Sequence, residues 1–176
     1  SSLPYTESDP VAGIHPYDVS KSCADLISGS YWKTFGLPVC ITRCGNIFGP
    51  GDYNFSRIIP DTIRSILNNK PILLRSDGKF TRDYIYVDDI VDGYFQLAKS
   101  MLKYNLAGEA FNFSNDKAYT VLQIVNKIGL LIGSKPRIKI LNVANNEIKH
   151  QYLSSKKARQ VLSWKPKTTL NKGLQS

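Results

Sequence analysis

Apolar residues recur at every fourth position early in the chain, at Val19, Cys23, Ile27, Tyr31 and Phe35. This spacing places them on one face of a helix over residues 17–35. Pro16 and Gly36 are typical of a helix start and a helix end. The short apolar run over residues 38–42 then predicts a buried strand. A helix joined to a strand by a short link is typical of a parallel α/β layer.

The rest of the chain alternates between short strand patterns and helix patterns. Helices are predicted over residues 57–67, 89–101, 121–132 and 155–162, with another starting at 168–170, and with Ser56, Asp88 and Thr120 as caps of the first three. Strands are predicted over residues 72–75, 83–87, 110–113, 137–141 and 151–153. Residues 45–54 are rich in glycine and predict a loop. The fold class is therefore α/β, and the opening in a loop and closure in a helix predict a piece of a longer protein.

Composition narrows the class of protein. Of 176 residues, 42% are hydrophobic and 21% charged, as in an ordinary globular protein, and no apolar run is long enough for a membrane span. We expect a cytoplasmic location, because no signal peptide opens the chain. The three cysteines lack zinc-site spacing and predict buried free thiols, so no metal is expected. The net charge of +9 favours an anionic partner, but no nucleic-acid motif accompanies it, and a phosphorylated small molecule explains it equally well.

Tyr17 and Lys21 are the first candidates for chemistry. Four residues apart on a helix, they share one face. A lysine ammonium beside a phenol stabilises the phenolate, which suits general acid/base work, and it can also donate to a ribose hydroxyl. This spacing alone is more typical of a half-buried tyrosine beside a solvated lysine than of a catalytic pair.

Two further clusters follow along the chain. Residues 43–52 leave the carboxyl end of the predicted strand, where α/β sheets bind ligands, and Asn46 offers both a donor and an acceptor there. Arg82 stands at the mouth of another strand, where a guanidinium can bind a diphosphate through two hydrogen bonds. The alternative for Arg82 is a surface ion pair with Asp83.

Together the three clusters resemble the extended short-chain dehydrogenase/reductase family, in its group of sugar-nucleotide dehydratases and epimerases. The matching motifs are Pro16-Tyr17-x-x-x-Lys21, Arg43-x-x-Asn46-x-Phe48-Gly49-Pro50 and Arg82-Asp83-Tyr84-x-Tyr86-Val87-x-Asp89, followed by Ser163-Trp164-Lys165-Pro166. The sequence around Tyr17 is most similar to that of CDP-glucose 4,6-dehydratases. The resemblance implies the carboxy-terminal part of a Rossmann-type fold. Residues 1–52 would be a remnant of the NAD-binding domain and residues 53–176 a smaller mixed α/β substrate lobe, with residues 88–116 as candidates to return to the Rossmann layer.

The resemblance also implies roles for individual residues. Tyr17 would be the base that takes the sugar 4-hydroxyl proton during hydride transfer to NAD, Lys21 would hold the nicotinamide ribose, and Arg43 would contribute to cofactor binding. Six positions match contacts to the nucleotide-diphosphate sugar: Asn46 near the phosphates, Arg57 and Arg82 at the diphosphate, Arg75 towards the base, and Asn112 and His150 near the nucleotide.

The family's glycine fingerprint, its Ser/Thr triad member and the residues for the elimination are not found in these 176 residues. We therefore expect no dehydratase activity from this chain alone, and exposed apolar faces on helix 17–35 and strand 38–42. Two alternatives stay open, a sugar-nucleotide 4-epimerase and a non-catalytic basic binding module, for example for RNA. A homodimer of the full protein through the Tyr17 helix is expected from the resemblance.

Overall fold

A computed structural model describes residues 2–144 and 147–176, and it confirms an α/β fold. The described helices are α1 (Pro16–Phe35), α2 (Ile58–Leu67), α3 (Val87–Lys103), α4 (Val121–Ile132), α5 (Lys156–Leu162) and α6 (Leu170–Gln175). The described strands are β1 (Ile41–Cys44), β2 (Asn46–Phe48), β3 (Ile72–Leu74), β4 (Thr81–Tyr86), β5 (Ala110–Phe113), β6 (Ala118–Thr120), β7 (Ile138–Ile140) and β8 (His150–Gln151).

The strands form three sheets. β1 pairs in parallel with β5, so that Arg43 lies opposite Asn112. β4 is the centre of the largest sheet, with β2 and β8 parallel to it and β6 antiparallel. β3 and β7 form a third, parallel pair. Two of the predicted motifs thus fall on neighbouring strands, because β2 carries Asn46 and β4 carries Arg82.

Most element positions agree with the sequence predictions, and the differences have physical causes. The predicted loop over residues 45–54 is wrong at its start, because β2 forms there by pairing with Tyr84–Tyr86. The first strand lies at Ile41–Cys44 rather than over residues 38–42. The strand β6 was not predicted. Its partner is the distant β4, a pairing that no local pattern shows.

The predicted helix caps were right in one case of three. Thr120 forms a complete capping box with Gln123, and α4 ends at Gly133 in the left-handed conformation. Ser56 and Asp88 do not cap α2 and α3, which begin after Arg57 and Tyr86 without a side-chain cap.

Two main hydrophobic clusters stabilise the fold. The first joins α3, α5 and β5 around Phe111, Phe113 and Trp164, all with 0% exposure. The Trp164 ring meets Phe113 edge-on at 4.8 Å between centroids, and its indole N–H donates to the carbonyl of Asp89. The second cluster packs α2 and α4 against the β4 sheet, through Phe48, Ile59, Tyr84, Ile124, Ile128 and Leu170. A smaller cluster supports β3.

α1 differs from these elements, because none of its residues is buried. Tyr31 and Phe35 on its apolar face are half-exposed and exposed, as expected from the sequence. Cys23 on the same helix is also exposed, so the prediction of a buried thiol is wrong there, while Cys40 and Cys44 are partly buried. The helix meets the β1–β5 pair on its other side, where a Cβ at Gly108 would lie 2.1 Å from the Trp32 ring.

Candidate functional site

Tyr17 and Lys21 occupy the first turns of α1. The helix starts here because Pro16 fits its first position. Tyr17 is 70% exposed, and the Lys21 ammonium lies 5.5 Å from the centroid of its ring. The pair therefore presents a phenol with an adjacent cation on an open surface, an arrangement that suits proton transfer to a bound molecule.

Arg43 and Asn112 lie side by side on β1 and β5. The Arg43 guanidinium forms a bidentate ion pair with Asp25 of α1, at 2.7 and 3.2 Å, and donates to the carbonyl of Glu7 at 3.0 Å. The amide N–H of Asn112 donates to the Glu7 carboxylate at 2.7 Å, and its side chain donates to the carbonyl of Tyr5. These contacts hold α1 and residues 5–7 against the sheet. The predicted ligand roles of Arg43 and Asn112 stay predictions.

Asn112 also carries a buried polar atom that lacks a partner. Its side-chain oxygen Oδ1 finds no hydrogen-bond donor among the described residues, although Asn112 has 0% exposure. A buried amide oxygen without a donor is costly, so this atom has the capacity for one further hydrogen bond.

Asn46 projects from β2 towards the central strand. Its side-chain amide donates to the carbonyl of Asp83 at 3.1 Å. The pairing of β2 with β4 places Asn46 opposite Tyr84. This hydrogen bond fixes the orientation of the Asn46 side chain and leaves its amide oxygen available as an acceptor.

Arg82 and His150 both lie at the β4–β8 pairing, where Arg82 is opposite Gln151 and His150 is opposite Thr81, so their side chains leave opposite faces of the sheet. Arg82 donates to the carbonyl groups of Thr81 at 2.8 Å, Ile148 at 2.6 Å and Lys149 at 3.4 Å. The imidazole Nδ1 of His150 lies 3.0 Å from the Thr81 hydroxyl. A guanidinium carries five N–H groups, so Arg82 keeps donors for an anion while the carbonyl groups fix its plane.

Arg57 and Arg75 stand apart from this group, at the start of α2 and directly after β3. Arg57 pairs with Asp52 at 3.2 Å and Arg75 with Glu147 at 3.8 Å, and both arginine side chains are more than half exposed. Surface pairs of this kind contribute little to stability, so both side chains can change partner at small cost.

Asp83 is a residue of this region that the sequence analysis missed. It was considered only as a surface partner of Arg82, but the structure shows it 2% exposed and bonded to Ser114 and to the amide of Leu153. Burial raises the pKa of its carboxyl group, while the hydrogen bonds from Ser114 and Leu153 oppose that effect. A signal was present in the sequence, because an acidic residue inside an apolar strand needs buried partners.

Two cavities lie beside these residues. An apolar one of about 330 Å³ is lined by Phe48, Tyr53, Phe55, Ile59, Ile63 and Leu67 and touches Asp52, the partner of Arg57. A groove of about 660 Å³ runs between α1 and β5 and is lined by charged side chains of Glu7, Asp25, Lys33, Arg43, Glu109 and Lys157. Among the described residues no group of acidic, histidine and cysteine side chains is arranged to hold a metal ion. None of the described helices has the length and apolar character needed to cross a membrane.

Three of the seven basic residues of the carboxy-terminal region, residues 149–172, pair with acidic residues. Lys157 contacts Glu109 at 2.6 Å and Lys167 contacts Asp92 at 3.0 Å, while Arg159 pairs with Asp116. These pairs spread the positive charge among carboxylates, which does not favour a continuous basic surface of the kind that binds nucleic acid.

Comparison with known proteins adds a family and several relatives. The model of the family described as "NAD dependent epimerase/dehydratase family" matches residues 2–112. The dTDP-D-glucose 4,6-dehydratase of Dictyostelium discoideum is 40% identical over 114 residues, which is 65% of this chain and 25% of that protein. The UDP-glucuronate 4-epimerase of Thermodesulfobacterium geofontis is 30% identical over 165 residues, 92% of this chain and 48% of that protein.

Solved structures show the same fold. The dTDP-glucose 4,6-dehydratase of Bacillus anthracis, in complex with NAD, superposes with a TM-score of 0.88 at 30% identity, over 99% of this chain and 54% of that one. The UDP-glucuronic acid 4-epimerase of Bacillus cereus, in complex with UDP-glucuronic acid and NAD, gives a TM-score of 0.91 at 26% identity, over 99% and 55%. The chain thus spans about half the length of these two structures.

Proposed function

We propose a nucleotide-sugar 4,6-dehydratase function for the protein that contains this chain. The chain itself belongs to the NAD dependent epimerase/dehydratase family. One observation carries the proposal. Tyr17 is exposed, with the Lys21 ammonium one helical turn away, in a chain that is similar to nucleotide-sugar dehydratases. The chain would supply this pair and the lobe that binds the nucleotide sugar.

Tyr17 and Lys21 have separate tasks in this proposal. The Tyr17 phenolate takes the proton of the sugar 4-hydroxyl, and the Lys21 ammonium stabilises that phenolate. The open position of both side chains, together with the three N–H donors of Lys21, fits the nicotinamide ribose of NAD. When bound, NAD supplies a hydride acceptor for C4. No residue of this sequence is assigned to the later loss of water across C5 and C6.

The substrate would bind along the central sheet. Arg82 lies on β4 and Asn46 on the neighbouring β2, while His150 on β8 contacts Thr81, the residue before Arg82. A guanidinium with a fixed plane suits a diphosphate, and Arg57 would reach the same group by exchanging its exposed pair with Asp52. Arg75, Arg43 and Asn112 keep their proposed contacts with the base, the cofactor and the nucleotide.

CDP-glucose is the proposed substrate, because residues 16–25, 42–47, 55–60 and 75–78 resemble the corresponding segments of CDP-glucose dehydratases. The test is a calorimetric titration of the purified chain with CDP, with dTDP and with UDP. We expect CDP to bind most tightly, and a clear preference for dTDP or UDP would contradict the assignment of the base.

The chain of 176 residues is proposed to be inactive by itself. A hydride acceptor needs a phosphate-binding loop to hold it, and these residues contain no glycine fingerprint. The test is incubation of the purified chain with CDP-glucose and NAD, with the 4-keto product followed by NMR. Turnover would contradict the proposal.

A homodimer through α1 is also proposed for the full protein. The support is the apolar face of α1, which includes Ile27, Tyr31 and Phe35 and is exposed in the isolated chain. Sedimentation of the full protein with Ile27→Glu is expected to show monomer, whereas a dimer unaffected by this change would contradict the role of α1.

A 4-epimerase is the second candidate, and it is favoured by the similarity to UDP-glucuronate 4-epimerases. It uses the same Tyr17–Lys21 pair but needs no elimination residues. The coding sequence upstream of residue 1 separates the two, because an acid and base for dehydration are expected there only in a dehydratase.

A further inference from the structure

Asp83 connects four segments around the proposed diphosphate site. Its carboxylate oxygen Oδ2 accepts a hydrogen bond from the Ser114 hydroxyl at 2.6 Å and from the Leu153 amide at 3.2 Å. Its main-chain carbonyl accepts the side-chain amide of Asn46 at 3.1 Å. One buried residue thus links the end of β5, the segment after β8 and the start of β2 to β4.

The bond to Leu153 bears directly on Arg82. Leu153 ends the segment 148–153, and the carbonyl groups of Ile148 and Lys149 at its start hold the Arg82 guanidinium. His150 lies in the same segment and contacts Thr81. The carboxylate of Asp83 therefore anchors one end of a segment whose other end sets the plane of Arg82.

Gly45 shows how closely this carboxylate is enclosed. A Cβ atom at Gly45 would lie 2.6 Å from Oδ2 and 2.8 Å from the carboxyl carbon of Asp83. Real atoms do not approach so closely, so only glycine at this position leaves room for the carboxylate. Glycine at residue 45 thus leaves free the space that the Asp83 carboxylate occupies.

We propose that Asp83 is a positioning residue for nucleotide-diphosphate binding, which acts by fixing Arg82 through the segment 148–153. The inference rests on the proposed function. Asp83 itself does not touch the ligand, because its carboxylate is buried and points to the face of β4 opposite to that of Arg82. A buried carboxylate is costly, and here the cost is offset by hydrogen bonds that also organise the site.

The proposal predicts an effect on the diphosphate rather than on the nucleoside. Arg82 would contact the second phosphate, which CDP has and CMP lacks. Calorimetric titrations of the chain with CDP and with CMP therefore distinguish a displaced Arg82 side chain from a general loss of structure. We expect the unchanged chain to bind CDP about tenfold more tightly than CMP, as one charge-assisted contact would give.

Three variants disturb the carboxylate in different ways. Asp83→Ala removes it and Gly45→Ala displaces it by contact. Ser114→Ala is the mildest, because it removes one hydrogen bond to the carboxylate, together with the one that the Ser114 hydroxyl accepts from the Asp116 amide. We expect CDP affinity to fall by about tenfold for the first two and about threefold for Ser114→Ala, with CMP affinity changed by less than about twofold. Gly29→Ala is the matched control, since a Cβ there meets no atom within 4 Å, and it should leave both affinities unchanged.

The outcomes separate the two proposals. If CDP and CMP weaken equally in the variants, Asp83 is only structural and the inference is wrong. If the unchanged chain shows no preference for CDP, the diphosphate site itself is wrong and the inference fails with it. If Asp83→Ala does not fold, Ser114→Ala decides, because a retained CDP preference in that variant contradicts the proposal and a reduced preference supports it.

Discussion

Two regions of the chain carry the candidate chemistry and differ in how they are packed. The α1–β1 unit, residues 16–44, holds Tyr17 and Lys21 on a helix without a buried residue. The β4 lobe, formed by β2, β4, β6 and β8 with α2 and α4, holds Asn46, Arg82 and His150 above a closed hydrophobic cluster. The candidate proton-transfer residues thus lie on an exposed helix, and the candidate ligand-binding residues lie on a well-packed sheet.

The difference teaches which part of the function the chain can perform by itself. The β4 lobe buries its own apolar side chains, so its polar groups are held in fixed positions. In the α1–β1 unit, the bidentate Arg43–Asp25 pair and Trp32 provide the contact with the sheet, while the apolar stripe remains outside. We therefore expect nucleotide binding to be retained by the isolated chain and chemistry to require more structure around Tyr17.

The largest expected effect comes from the same substitution made in both regions. Phe48→Ala in the β4 lobe removes a ring that is 5% exposed and packs edge-on against Tyr86, and it should cost about 3–5 kcal/mol of unfolding free energy. Phe35→Ala, at a residue 73% exposed, should change it by less than about 0.5 kcal/mol. Urea unfolding of the two variants measures both values. Similar costs for the two would show that α1 is packed as tightly as the core.

Hydrogen exchange gives the second test of the comparison. Amides of α1 and β1 should exchange faster than amides of α4 and β4, because few buried apolar contacts oppose their local opening. Mass spectrometry on peptides of the unchanged chain measures the rates. Strong protection of α1 in a monomer would contradict the contrast between the two regions.

A smaller effect is expected in the pH dependence of stability of Asp83→Asn. Burial raises the pKa of Asp83 above its value in the unfolded chain, so protonation favours the folded state. This contribution is complete below the unfolded value of about 4 and decreases as the pH rises through the higher folded value. The stability of the unchanged chain relative to Asp83→Asn should therefore fall as the pH rises from about 4 through the higher folded pKa of Asp83, as urea unfolding would show. A difference that grows with pH over that range would contradict this sign.

The smallest expected effect concerns the Tyr17–Lys21 pair. Tyr17→Phe and Lys21→Ala should each change the unfolding free energy by less than about 0.5 kcal/mol, because the pair is exposed. In an active full protein, the roles proposed for Tyr17 and Lys21 predict that the same changes abolish most of the turnover, since they would remove the proton acceptor or its cationic partner. A large loss of stability would instead assign the pair a structural role.

The sequence predicted elements well where local chemistry determines them. The helix that starts at Thr120 and stops at Gly133 was found with both ends correct, because the capping box and the glycine act over a few residues. The strands β2 and β6 escaped prediction, because they exist through pairing with β4 and the glycines after Phe48 dominate the local pattern.

The candidate site shows the same limit. Motif spacing placed Asn46 and Arg82, and the structure brings them to neighbouring strands. Motif spacing could not show that Arg43 pairs with Asp25, or that Asp83 is buried between Ser114 and Leu153, because those partners are distant in sequence. Asp89 is similar, since its carboxylate accepts hydrogen bonds from the main-chain amides of Lys167 and Thr168, which are also distant in sequence.

The most direct test of the account is an NMR titration of the isotope-labelled chain with CDP. The account predicts saturable shifts at the amides of Asn46, Arg82 and His150 and near Arg57, with the amides of α1 beyond Lys21 unchanged. It thus predicts binding by the β4 lobe without catalysis by the α1–β1 unit. The absence of binding, or shifts confined to α1 and the groove beside it, would contradict the central claim.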